Sequence, residues 1–204
     1  MLLAIHPVDP EARKILRVIE TLKEGGVIAY PTDTIYGLGC DLLQPKAIER
    51  IYRIRKLDPQ KALLTLICKD ISQISHYAHQ IDNDIFRLMK KNMPGPFTFI
   101  LRAGNQLPKT LKNRKGTIGV RIPDHKTTQA ILEMLDRPML STSLHSEDDL
   151  LEYENDPIEI EENFGHLVDM VIDGGIGGRT PSAVIDCTGE EAHVIREGAV
   201  PLRF

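Results

Sequence analysis

Tryptophan is absent, and aromatic residues of all kinds make up only 5% of the chain. A nucleic-acid reader that stacks bases on rings therefore has few rings to use. Cysteine is scarce as well: Cys40, Cys68 and Cys187 are scattered, odd in number and never in C-x-x-C spacing. That argues against a disulfide framework and a zinc site, and leaves isolated buried thiols as the expectation. The seven histidines contain no H-x-x-x-H pattern; His76 and His79 lie three apart, and a helical metal pair there is the weaker reading. No apolar run approaches the roughly 20 residues a membrane span needs. The start, Met1 to His6, is too short for a secretory leader and lacks its basic lead, so a cytoplasmic location is expected. Neither G-x-G-x-x-G, nor G-x-x-x-x-G-K-[ST], nor G-x-S-x-G occurs, so the common nucleotide loops and the hydrolase elbow are missing.

What the chain does have is a polar stretch directly after an apolar run. Gly26-Val27-Ile28-Ala29 reads as a buried strand, and Tyr30-Pro31-Thr32-Asp33-Thr34-Ile35-Tyr36-Gly37-Leu38-Gly39 follows it. Ligands of open α/β sheets bind just past strand ends, where a rigid scaffold holds a solvent-facing loop. In this reading Gly37 and Gly39 let the loop turn or approach a ligand. Further hydroxyl- and arginine-bearing elements accompany strands: Pro94 to Thr98, Gly119 to Asp124 with Arg121, Ser141-Thr142-Ser143, and Thr180-Pro181-Ser182. The glycine run Asp173 to Gly178 matches no phosphate fingerprint and reads as a flexible turn.

Charge is divided along the chain although its net value is only −4. Arg87 to Lys126 holds ten basic residues against the single acid Asp124, whereas Glu147 to Glu162 holds nine acids and no base. The basic segment suits a phosphate-bearing partner, if the two segments do not simply neutralise each other.

Asp9-Pro10-Glu11 predicts a helix start with Asp9 as N-cap, ending at Gly25-Gly26. A second helix from Pro45 places Ile48, Ile51, Tyr52 and Arg55 on one face, holding Arg55 at its C-terminal end. Further helices are expected over 82–91, 127–135 and 157–163. Strands are expected at 63–68, 97–101, 117–121, 139–143, 167–172, 182–186 and 193–196. Interleaved strands and helices, with no repeat or linker, point to one α/β domain over residues 1–204.

Six of these elements, in this order, resemble the YrdC/YciO-like family: Pro31-Thr32-Asp33-Thr34 with Tyr36-Gly37-Leu38, Pro94-Gly95-Pro96 with Thr98, Val120-Arg121-Ile122-Pro123, Ser141-Thr142-Ser143, Pro181-Ser182 with Val184-Ile185-Asp186, and Ile195-Arg196-Glu197-Gly198. The resemblance runs from about residue 25 to 198. It implies a twisted, open mixed sheet with flanking helices and a concave basic face. It also implies a threonylcarbamoyl-AMP synthase-like activity, using L-threonine, bicarbonate and ATP and serving tRNA threonylcarbamoyladenosine modification. By resemblance, Thr32, Thr34, Tyr36 and Arg121 would line the substrate side. Arg55, Lys56, Thr117, Ser141, Ser143, His145, Ser182 and Arg196 would lie toward the nucleotide.

Two departures bring the chain nearer the YciO-type branch. The family's lysine, any residue, arginine, proline pattern is replaced by Arg55-Lys56-Leu57-Asp58, and His145 stands where asparagine is usual. The alternative reading is an RNA- or tRNA-binding module of the same fold, recognising double-stranded RNA or tRNA with weak or absent catalysis. Mg²⁺ is expected to accompany ATP on its phosphates, which requires no protein metal motif.

Overall fold

The structure, a computed structural model, describes residues 1–108, 111, 113–144 and 154–204. In chain order its elements are β1 (Leu2–Ala4), α1 (Ala12–Lys23), β2 (Val27–Tyr30), β3 (Gly37–Asp41) and α2 (Pro45–Ile54). There follow β4 (Thr65–Ile67), α3 (Ile71–Tyr77), α4 (Asn83–Asn92), β5 (Phe97–Arg102) and β6 (Thr117–Arg121). The chain continues through α5 (Lys126–Leu135), β7 (Met139–Ser143), α6 (Pro157–Phe164), β8 (Met170–Asp173), β9 (Ala183–Asp186) and β10 (His193–Arg196). The ten strands form one open sheet in the order β1-β8-β2-β3-β7-β4-β6-β5-β9-β10. It is mixed: β1–β8, β2–β8, β4–β6 and β5–β9 are parallel, and the other defined pairs are antiparallel.

Side chains alternate across the sheet, so each strand serves two faces. Val27, Ala29, Leu38, Cys40, Leu66, Phe99 and Val120 face the larger core, built with Ile48, Ile51, Ile74, Leu88, Met89 and Ile160 from α2, α3, α4 and α6. Ile28, Tyr30, Ile67 and Met139 face the other way, onto Ile15, Val18, Ile19 and Leu22 of α1 and Ile131, Leu132 and Leu135 of α5. Two helices are too few to cover that second face. Its remainder carries Thr65, Arg121, Thr98 and Val184 into an open cleft.

Three expectations about elements are corrected. The first helix starts with Glu11, not Asp9, as N-cap. His6 Nδ1 accepts from the backbone N–H groups of Val8 (3.3 Å) and Asp9 (3.0 Å), bending the chain there before the helix can begin. Residues 37–41 are a strand rather than the end of a loop, because β3 is paired on both sides, with β2 and β7. The glycines there serve packing, since a Cβ on Gly39 would come within 2.8 Å of the Tyr30 ring. Strand β1 and helix α3, whose N-cap Asp70 accepts from Gln73 N–H, are additions to the expected elements.

Candidate functional site

Cross-strand register assembles the cleft. Thr65 of β4 lies opposite Ser141 of β7 and Gly119 of β6, and Ile67 lies opposite Arg121. On β9, Val184 lies opposite Thr98 of β5 and Arg196 of β10. The result is a cleft of about 230 Å³ lined by hydroxyls and two arginines from Tyr30, Thr32, Tyr36, Thr98, Arg121, Ser141, Ser143, Ser182 and Arg196, among others.

Loop 31–36 forms one wall, and Arg121 organises it. Arg121 is 6% exposed; its Nη1 donates to Thr34 Oγ1 (2.9 Å) and its Nη2 to Asp33 Oδ1 (2.6 Å). Thr32 Oγ1 donates to the Ile35 carbonyl (2.7 Å), so the 3.0 Å contact between the two threonine hydroxyls takes its proton from Thr34. The hydrogen bonds therefore run in one direction, from guanidinium through Thr34 and Thr32 to the backbone. A second chain runs along the floor. Tyr30 O–H donates to Ser141 Oγ (2.6 Å), and Ser141 donates to the Leu38 carbonyl (2.9 Å). Burial pushes the Tyr30 phenol up to about 12, against the opposing hydrogen bond to Ser141, and keeps it protonated as that donor. Both floor hydroxyls have spent their protons and offer only lone pairs.

The opposite wall is rich in donors. Thr98 and Ser182 share one hydrogen bond (2.8 Å), which leaves one hydroxyl proton for a ligand. Arg196 is anchored through Nε and Nη2 on the Ser182 carbonyl (3.1 and 2.9 Å). Arg121 Nε is buried without a hydrogen-bond partner among the described residues. The cleft thus presents one arginine on each wall and acceptor-only oxygens on its floor. That asymmetry suits a ligand with an anionic end and an N–H or O–H end. Among the described residues the lining contains no carboxylate.

Of the residues expected at the site, Thr32, Tyr36, Arg121, Ser141, Ser143, Ser182 and Arg196 line this cleft, and Thr34 backs it through Arg121. Thr117 does not: it sits at the other end of β6, about 13 Å from Arg121 at the usual strand rise. It lines a neighbouring cleft of about 900 Å³ together with Lys61, His79, Arg102, Lys115 and Asp186. Leu63 borders both clefts. Arg55 caps α2 and Lys56 follows it at φ 46°; neither is among the described residues lining the first cleft. Leu57 N–H bonds the Tyr52 carbonyl (2.9 Å) and Lys56 N–H the Arg53 carbonyl (3.2 Å), closing the helix in a Schellman turn. Leu57 packs on the core from there, so the departure at this position is the apolar contact that such a turn prefers. His145 lies outside the described residues, as does much of the acidic stretch.

The sequence reading gives no site role to three of the participants. Asp33 and Thr98 stand inside noted segments, and Tyr30 looks like an ordinary strand residue whose only signal is the pair of glycines facing it. The glycine run, read as a flexible turn, instead backs the loop. Tyr36 O–H donates to the Gly175 carbonyl (2.8 Å) and accepts from Gly174 N–H (3.3 Å). A Cβ on Gly178 would lie 2.3 Å from the Thr34 carbonyl oxygen. Gly178→Ala should therefore destabilise by about 1–3 kcal/mol in urea melts. Gly189→Ala, with its nearest neighbour at 3.9 Å, should stay within about 0.5 kcal/mol of the parent. Equal melts for the two would dismiss this packing role.

No thiol belongs to the site. Cys40 and Cys68 are buried and Cys187 half-buried, all free, and burial raises each thiol, that of Cys187 to about 12. Among the described residues no helix is long and apolar enough to cross a membrane.

Comparison with known proteins decides the relationship. Residues 20–198 match the family model Sua5_yciO_yrdC, described as telomere recombination. The chain belongs to the Sua5/YciO/YrdC family. Within that family it is 45% identical over 195 residues to the uncharacterized protein YciO of Escherichia coli K12, covering 95% of this chain and 93% of the relative. An uncharacterized protein of Haemophilus influenzae is 43% identical over 196 residues, covering 96% and 94%. The crystal structure of E. coli YciO matches with a TM-score of 0.93 over 100% of this chain and 98% of that one. P. abyssi Sua5 complexed with L-threonine matches with a TM-score of 0.89 at 27% identity, over 99% of this chain and 58% of the longer Sua5. The fold and family expected from the sequence are therefore confirmed.

Proposed function

We propose that this protein binds L-threonine, bicarbonate and ATP and forms threonylcarbamoyl-AMP, supplying tRNA threonylcarbamoyladenosine modification. The observation that carries this reading is the Arg121–Thr34–Thr32 wall. It closes a donor–acceptor cleft in a chain that shares its fold with a threonine-bound relative. In this reading Arg121 takes the threonine carboxylate, and the lone pairs of Tyr30 and Ser141 receive hydrogens from its amino or hydroxyl group.

The amino nitrogen then attacks the bicarbonate carbon, water leaves, and a carbamate forms. A carbamate oxygen attacks the α-phosphorus of ATP, the α–β phosphate bond breaks, and pyrophosphate departs. Arg196, Ser143 and the hydroxyls of Thr98 and Ser182 face the nucleotide side. The chain's own work is positioning and charge stabilisation, because no side chain has to form a covalent intermediate. Mg²⁺ would travel on the ATP phosphates, consistent with a described cleft lining that has no carboxylate.

The test is to incubate the purified protein with ATP, ¹⁴C-bicarbonate and L-threonine. A labelled adenylate should appear with an equal amount of pyrophosphate, and only when threonine is present. No product at stoichiometric enzyme, under conditions where a YrdC-type synthase is active, refutes the reading. In that event tRNA or double-stranded RNA binding that weakens steeply with salt would support the RNA-module alternative. The cations Lys61, Arg102 and Lys115 around the second cleft favour testing it.

A further inference from the structure

The Asp33–Arg121 pair is geometrically incomplete. Asp33 Oδ1 takes one N–H of Arg121 at 2.6 Å, while Asp33 Oδ2 and Arg121 Nε are both buried and without hydrogen-bond partners among the described residues. A side-on fork through Nε and Nη2 would satisfy both atoms; the pair instead makes the single Nη2 contact, while Nη1 donates to Thr34. The side chains are 8% and 12% exposed, so solvent screens the pair little. Asp33 is not among the residues lining the cleft, whereas Arg121 is. The carboxylate therefore sits behind the guanidinium, where it cancels the charge without blocking the ligand side.

We propose that Asp33 is the positioning and selectivity residue of this end of the cleft. By neutralising Arg121 from behind, it makes the Arg121 wall accept the carboxylate of a zwitterion and reject a phosphate. A zwitterion brings its own cation, so its carboxylate needs directed N–H donors more than net positive charge. A phosphate carries up to two negative charges and would meet a wall of no net charge with a fixed carboxylate behind it. Exclusion of phosphate from one end is what a site for an amino acid beside a nucleotide requires, since otherwise the triphosphate could occupy the wrong half. Nearby ionisable groups do not replace Asp33: burial disfavours the charged form of His125, and Asp124 is exposed. The identity of the zwitterion as threonine rests on the proposed function; rejection of phosphate does not.

The experiment titrates inorganic phosphate, with no other ligand, into the wild-type chain, Asp33→Asn, Asp33→Glu and Asp33→Asn/Arg121→Gln. Binding is followed by isothermal calorimetry, and folding of each variant by circular dichroism. Asp33→Asn should bind phosphate at least ten-fold more tightly than wild type. Asp33→Glu should behave like wild type, and the double variant should lose the gain. A separate threonine titration should show weaker binding by Asp33→Asn. Unchanged or weaker phosphate binding by a folded Asp33→Asn protein overturns the proposal. If Asp33→Asn does not fold, a wild-type-like Asp33→Glu sustains the charge argument, and phosphate binding gained by Asp33→Glu overturns it. Failure of wild type to bind threonine, with the phosphate result intact, would instead count against the functional reading alone.

Discussion

Arg121→Met is expected to abolish measurable L-threonine binding and to lower stability by about 3–5 kcal/mol, the usual cost of removing one partner from a buried ion pair. Two groups are stranded at once: the Asp33 carboxylate, 12% exposed, and the Thr34 hydroxyl, which loses its donor at 2.9 Å. Thr34 also bonds Thr32, so loop 31–36 loses the anchor that holds its hydroxyls toward the cleft. Arg121→Lys should fall between, because it keeps the charge and loses the second arm of the fork. Threonine calorimetry and urea unfolding measure the two effects separately. Threonine affinity within three-fold of wild type in Arg121→Met would remove this residue from the site.

A second buried arginine–carboxylate pair should show the stability effect without the binding effect. Asp41, 0% exposed at the far end of β3, receives Arg137 Nε at 2.8 Å and Nη2 at 2.6 Å. Its Oδ1 also accepts from Leu43 N–H at 3.0 Å. Arg137→Met leaves that carboxylate paired only with a backbone amide. The expected loss is about 3–5 kcal/mol, or about 6–20 °C in melting temperature for a domain of this size. Threonine binding should remain within two-fold, because β3 is held in register by β2 over residues 37–40 and by β7 over residues 37–41. Asp41→Leu/Arg137→Leu should recover most of the loss, since no charge is then left buried. A deficit below about 1 kcal/mol for Arg137→Met would show that Asp41 finds other solvation.

Both pairs join an arginine to a buried or nearly buried aspartate, and their separate roles come from where β3 and β6 end. Arg121 ends a strand at the open part of the sheet. Arg137 lies between α5 and β7, remote from the cleft. Sequence position beside a proline makes Arg121 visible as a candidate, but nothing local marks Asp33 as its partner 88 residues away. The basic segment shows the same limit. Arg87, Lys90 and Lys91 lie on α4, which packs against the face opposite the cleft, so linear clustering overstates the charge gathered at the site. From that segment Arg102, Lys115 and Arg121 do reach the two clefts.

Patterns that depend on near neighbours are legible in the amino-acid sequence alone: the amphipathic spacing of α1, α2, α4 and α5, the apolar strands, and the hydroxyl-rich segments at their ends. Local chemistry is sufficient there, because periodicity decides which face is buried. Family membership is legible for a similar reason, as six short motifs keep their order along the chain. Strand β3 is not, since Gly-Leu-Gly-Cys-Asp has little strand propensity and is extended by its two partners. Its glycines answer to the Tyr30 ring rather than to a turn. Register across β4, β6, β5 and β9 is likewise a tertiary decision, and it converts scattered Ser, Thr and Arg residues into one cleft with donors on its two walls and lone pairs on its floor. Side-chain type sets the chemistry available; long-range pairing settles which groups keep a proton, a charge or a free face for a ligand.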